Sequence, residues 1–104
     1  MTHKEHNGWT NYETWIVKLW MDNEEGTHLY FREQAERVIK EDGLCDRDSD
    51  RVRTLADIIQ QEHEDNLPKL EGFAVDLMNS ALSEVNWEEI AYSLLEDAKE
   101  AMEA

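Results

Sequence analysis

The sequence predicts an all-α fold, a compact bundle of about five short amphipathic helices in a single domain over residues 1–104. Three observations lead there. Apolar residues recur at helical spacing in five successive segments, no run alternates with the period of a half-buried strand, and the joints are short and polar. A chain of 104 residues has room for one domain and not for two. At that size roughly two-thirds of the unfolded surface is buried, enough for a core without metal or disulfide. Hydrophobic residues at 40% supply that core despite a formal charge of −15.

The first segment starts near Thr10 or Asn11, either of which suits an N-cap, and Thr10 to Glu13 has the spacing of a capping box. Tyr12, Trp15, Ile16, Leu19 and Trp20 then share one face, and the polar run from Asp22 to Glu25, with Gly26, closes the helix. The second segment runs from about Thr27 to Glu41 with Phe31, Ala35, Val38 and Ile39 inward, ending at Asp42–Gly43, where glycine suits a left-handed cap. Asp48 or Ser49 caps the third, whose stripe is Val52, Leu55, Ala56, Ile59 and His63. Pro68 fits a first helical turn and is expected to open the fourth, with Leu70, Phe73, Ala74, Leu77, Met78, Ala81 and Leu82 inward. Asn86 caps the fifth with an acid, Glu89, three residues on, and Trp87, Ile90, Ala91, Leu94, Leu95, Ala98 and Met102 line its inner face. Residues 1–7 are expected to be loose.

Catalytic constellations are missing from this sequence. It contains no nucleotide-binding glycine loop, no HExxH, no calcium loop and no GxSxG, so no enzyme and no cofactor are expected. Cys45 lies among acids, which raise a thiol pKa where a nucleophile needs it lowered. Glu62 and His63 form a weak candidate for a divalent ion or small ligand. Adjacent helical residues face about 100° apart, however, and a helix-end histidine closing an apolar stripe explains His63 better. His3, His6 and His28 read as isolated surface residues. The lone cysteine cannot make an intrachain disulfide, the N-terminus lacks an apolar signal run, and no stretch approaches the roughly 18 apolar residues of a membrane span. These features place the expected home in a reducing cytoplasm.

The charge is uneven. Residues 1–53 hold 12 acids and 8 bases, net −4, whereas residues 54–104 hold 13 acids and only Lys69 and Lys99, net −11. Such acidity argues against direct contact with nucleic acid, whose binders carry the opposite sign. In the fifth segment Glu89, Glu96, Glu100 and Glu103 fall within an arc of about 60° opposite the apolar stripe. They span about 21 Å of helix axis. With Glu84, Glu88 and Asp97 beside them, the row is read as a partner-binding stripe that imitates duplex phosphates. An ordinary solvated helix face would leave the same letters.

Three of four tryptophans, Trp9, Trp15 and Trp20, lie in the first 20 residues. Trp15 and Trp20 read as core, and Trp9 as a staple at the start of the helix. Val17 and Met21 extend the apolar surface beyond one stripe, so this helix is either central in the bundle or partly covered by another subunit. Trp9, Tyr12, Val17, Trp20 and Met21 are the alternative interface. The run Asn7-Gly8-Trp9-Thr10-Asn11-Tyr12-Glu13-Thr14-Trp15, followed by Leu19-Trp20-Met21-Asp22-Asn23 and by Ser83-Glu84-Val85-Asn86-Trp87-Glu88-Glu89-Ile90-Ala91, resembles the signature of a functionally uncharacterised family of small acidic proteins from phages, plasmids and prokaryotic genomes. The resemblance implies a mobile-element setting and assigns no catalytic residue.

Two functions are therefore expected to compete. One is inhibition of a basic, nucleic-acid-binding defence protein, such as a CRISPR effector or restriction enzyme, by mimicry of DNA charge. The other is an interaction or scaffold protein that forms a homodimer or docks a partner through its tryptophan-rich first helix.

Overall fold

The computed structural model describes residues 6–41 and 48–103. The regular elements among them are all helices: α1 (Tyr12–Asn23), α2 (Glu25–Glu41), α3 (Asp48–Asp65), α4 (Phe73–Ser83) and α5 (Trp87–Glu103). The expected Asp42–Gly43 stop, Cys45 and His3 lie outside the described residues. No helix among the described residues is long and apolar enough to cross a membrane.

Helical periodicity builds the core where the sequence places it. Phe31, Ala35 and Val38 of α2, Leu55, Ala56 and Ile59 of α3, and Ile90, Ala91, Leu94 and Ala98 of α5 are all buried. Packing of α5 on α3 and α2, and of α2 on α3, makes a three-helix centre, with α1 laid across α2 and α5. His63 closes the α3 stripe as a structural residue. Its ring lies parallel to Phe31 with centroids 5.6 Å apart and 5.4 Å from Trp87, while Nδ1 sits 2.8 Å from the Ile59 carbonyl oxygen.

Helix α1 turns a different face inward from the one its apolar pattern suggests. Thr14, Lys18 and Met21 are buried, on roughly the opposite side of the helix from Tyr12, Trp15, Ile16, Leu19 and Trp20. The physical reason is that α1 is apolar on both sides, and its inward polar groups find partners. Thr14 hydrogen-bonds to Asn11 and Asn86, and Lys18 Nζ lies 2.7 Å from both Asp22 carboxylate oxygens. Trp20 is consequently 64% exposed and Tyr12 53%. Trp15 is half-buried beneath His6, whose ring lies 4.4 Å from it. His6 is thus not isolated. It pairs with Trp9 across a two-residue turn in which Asn7 and Gly8 both have positive φ, the geometry that Asn-Gly favours.

The boundaries of α2 and α4 also depart from expectation, whereas α1 starts after Asn11, one of its two expected caps. Asn11 alone caps α1, accepting from the Thr14 N–H over 2.9 Å, so the Thr10–Glu13 box does not form. Glu24, in extended conformation, separates α1 from α2, and Gly26 lies inside α2. Pro68 does not open α4. Gly72, at φ +65°, interrupts any helix begun there, and α4 starts at Phe73. None of its residues is buried, with Phe73 79% exposed, and it reaches the core through Leu82. Met102, expected inward, is exposed because α5 runs past the end of the core there.

Candidate functional site

Two surfaces stand out once the core is accounted for, the outer face of α5 and the outward stripe of α1. On α5, Glu88, Glu96, Asp97, Glu100 and Glu103 are exposed, as is Glu84 just before it. The ion pairs among the described residues are Lys18–Asp22, His28–Asp22 and Arg37–Glu41, so none reaches these acids. The last turn of α5 carries no base. Glu100 and Glu103 thus meet the negative end of the helix dipole unneutralised.

The acids do not form one uniform row. Glu89 is half-buried, and its Oε1 accepts the Thr10 N–H over 3.0 Å, a structural bond. Glu96 lines a hollow with Arg51 and Lys99. Glu84 and Glu88 border a separate groove of about 450 Å³ with Asp57, near the start of α5.

The α1 candidates divide by face. Met21 is 2% exposed and belongs to the core, and Trp9 and Val17 pack against it. Tyr12 and Trp20 point outward, and with them Leu29 and Tyr30 of α2 remain exposed. At the C-terminal end of the stripe, Trp20 borders a groove of about 490 Å³ with the Tyr30, Phe31 and His63 rings and the Glu24 and Glu62 carboxylates. Tyr30 donates from its hydroxyl to Glu62 Oε1 over 3.3 Å, and Asn66 Nδ2 donates to Glu62 Oε2 over 2.8 Å. Burial first, then the neighbouring Glu62 charge, pushes the Tyr30 phenol above its ordinary value.

Glu62 and His63 are adjacent in this groove but engage different partners, and the described residues contain no group of three or more His, Cys, Asp or Glu able to hold a metal ion. Sequence reasoning missed Thr14, Lys18 and Tyr30. A polar residue at helical spacing reads as solvated until its partner is known, and those of Thr14 and Tyr30 lie 72 and 32 positions away.

The N-terminal and C-terminal motifs of the sequence meet in space. Asn11 Nδ2 donates to the Glu84 carbonyl over 2.7 Å, the Asn86 N–H to Thr14 Oγ1 over 2.8 Å, and the Thr10 N–H to Glu89. Residues of both motifs thereby join the starts of α1 and α5.

A family described as "Family of unknown function (DUF7249)" matches residues 2–104, and the chain belongs to it. No curated protein and no solved structure matches the chain.

Proposed function

We propose that this chain is a non-enzymatic interaction protein that docks a cationic partner protein through the outward stripe of α1. The observation that carries this reading is Trp20, a large aromatic left 64% exposed one residue from a fully packed core position. Exposed aromatic side chains beside a groove are the residues that contribute most when an interface closes over them. A charge of −15 opposes a second copy and steers a positively charged partner.

The test is capture from a prokaryotic lysate at low salt with wild type and Trp20→Ala, beside sedimentation velocity of each. Proteins retained by wild type and released by Trp20→Ala support the reading. An identical retained set from both, with both sedimenting as monomers, overturns it.

A second reading is favoured by Glu100 and Glu103, which make no ion pair among the described residues and stand at the end of α5 that disfavours negative charge. In it the chain comes from a mobile element and occupies the DNA groove of a defence nuclease or CRISPR effector, with Glu88, Glu96, Asp97, Glu100 and Glu103 in the place of phosphates. Reversal of Glu96, Glu100 and Glu103 to lysine would then abolish salt-sensitive capture of DNA-handling proteins while Trp20→Ala would not.

A further inference from the structure

The groove beside Trp20 has two kinds of wall. The aromatic residues Trp20, Tyr30 and His63 line it together with Glu24 and Glu62, and no lysine or arginine among the described residues lines it. Its volume of about 490 Å³ admits a side chain but not a folded element.

Both carboxylates are oriented without being neutralised. Glu62 accepts from the Tyr30 hydroxyl and from Asn66 Nδ2, and Glu24 Oε1 accepts from the Thr27 hydroxyl over 2.9 Å. A carboxylate offers about four lone-pair sites, so Glu62 keeps roughly two for a ligand. All its present donors are uncharged, so its negative charge remains whole. Trp20 stacks on no other ring among the described residues, leaving an indole face free.

The geometry points to this groove as a guanidinium site that receives an arginine side chain of the partner protein. An anion is repelled by the two carboxylates, and a neutral apolar group would desolvate them without compensation. The described residues bring no three His, Cys, Asp or Glu side chains together to hold a metal ion. A cation over an indole face, with a carboxylate to accept its protons, satisfies both walls. Guanidinium fits better than ammonium, because it is planar, weakly hydrated and donates in a fork while stacking. This inference rests on the reading of Trp20 as a docking residue for a cationic partner and names the chemistry recognised there.

The experiment titrates the isotopically labelled full chain with N-acetyl-arginine methylamide, followed by amide and indole NMR signals, with the lysine counterpart as comparison. Saturable shifts confined to Trp20, Tyr30 and Asn66 are expected, with Kd on the order of a millimolar. Binding should weaken about tenfold in Glu62→Gln, whose amide oxygen still accepts a hydrogen bond, and should be unchanged in Glu33→Gln. Trp20→Ala should weaken it too. Shifts spread along the acidic surface, equal response to arginine and lysine, or indifference to both Glu62→Gln and Trp20→Ala would overturn the site. The probe is a single residue and needs no partner. Its failure therefore removes the guanidinium site alone, while the docking reading stands or falls on capture by Trp20→Ala.

Discussion

The backbone N–H of Asn86 donates to Thr14 Oγ1 over 2.8 Å, joining the first turn of α1 to the cap of α5 across 72 positions of sequence. The Thr14 hydroxyl in turn donates to Asn11 Oδ1 over 2.6 Å, and the Asn86 Oδ1 accepts the Glu89 N–H over 3.0 Å. Glu89, in the position from which a capping-box acid reaches back to its own cap, serves Thr10 instead. Each helix thus satisfies donors that the other leaves open. Asn11, Thr14, Asn86 and Glu89 have a structural task that requires side-chain hydrogen-bonding groups at these positions.

Thr14→Val keeps the shape of the side chain and leaves the Asn86 N–H without its partner. It should lower stability by about 1–3 kcal/mol, whereas Thr14→Ser should retain most of it. Denaturant unfolding of the three proteins checks this. A valine variant as stable as wild type would mean that the bond contributes nothing net.

What the sequence revealed and what it hid follow from the same periodicity. In α2, α3 and α5 one face is apolar and the other charged, so the 3.6-residue repeat names most of the buried positions, from Phe31 to Ala98, and overshoots at Met102. In α1 it cannot. Met21 lies opposite Tyr12, and the choice of face goes with the hydrogen bond that Thr14 Oγ1 accepts from the Asn86 N–H, 72 positions away. In α4 the repeat is regular, yet Gly72 at positive φ delays the helix and Phe73 finds no cover. The same long-range pairing removes Glu89 from the acidic row, and brings Tyr30 to Glu62 to make a groove that local spacing does not announce.

The two ends of α5 should respond oppositely to charge reversal. Glu89→Lys removes the acceptor of the Thr10 N–H and places a cation at a helix N-terminus, so stability should fall by about 1–2 kcal/mol. Glu100→Lys and Glu103→Lys relieve negative charge at the C-terminus and should each raise it by about 0.3–1 kcal/mol at low salt. Thermal melts at low and high salt distinguish the two. Destabilisation by the C-terminal reversals would show that those acids hold a structural contact.

Tyr30 should titrate above its ordinary value of 10.0, first because it is partly desolvated and then because Glu62 opposes a phenolate beside it. Glu62→Gln removes only the second cause, so the midpoint should fall without returning fully to the unfolded value. The sign for stability follows from linkage. The folded chain holds this proton more tightly than the unfolded chain, so the contribution is whole below the unfolded pKa and is lost as pH rises through the folded one. NMR titration of the ring carbons, with Tyr12→Phe and Tyr92→Phe to isolate the signal, reads the shift directly. An unchanged midpoint in Glu62→Gln would place the carboxylate too far away to define the groove.

Neighbouring positions in α1 offer the sharpest contrast. Met21 is 2% exposed and surrounded by core, so Met21→Ala should cost about 2–5 kcal/mol through lost burial and the cavity left behind. Trp20, the next residue back, is 64% exposed, so Trp20→Ala should change stability by no more than about 0.5 kcal/mol despite removing a far larger side chain. Denaturant midpoints of the two variants measure this difference. If Trp20→Ala unfolds the protein as readily as Met21→Ala, the indole is a buttress of the fold and its loss in a capture experiment would report instability. If the expected inequality holds, any function lost with Trp20 is lost from a folded protein, which is what the proposed docking at the exposed indole requires.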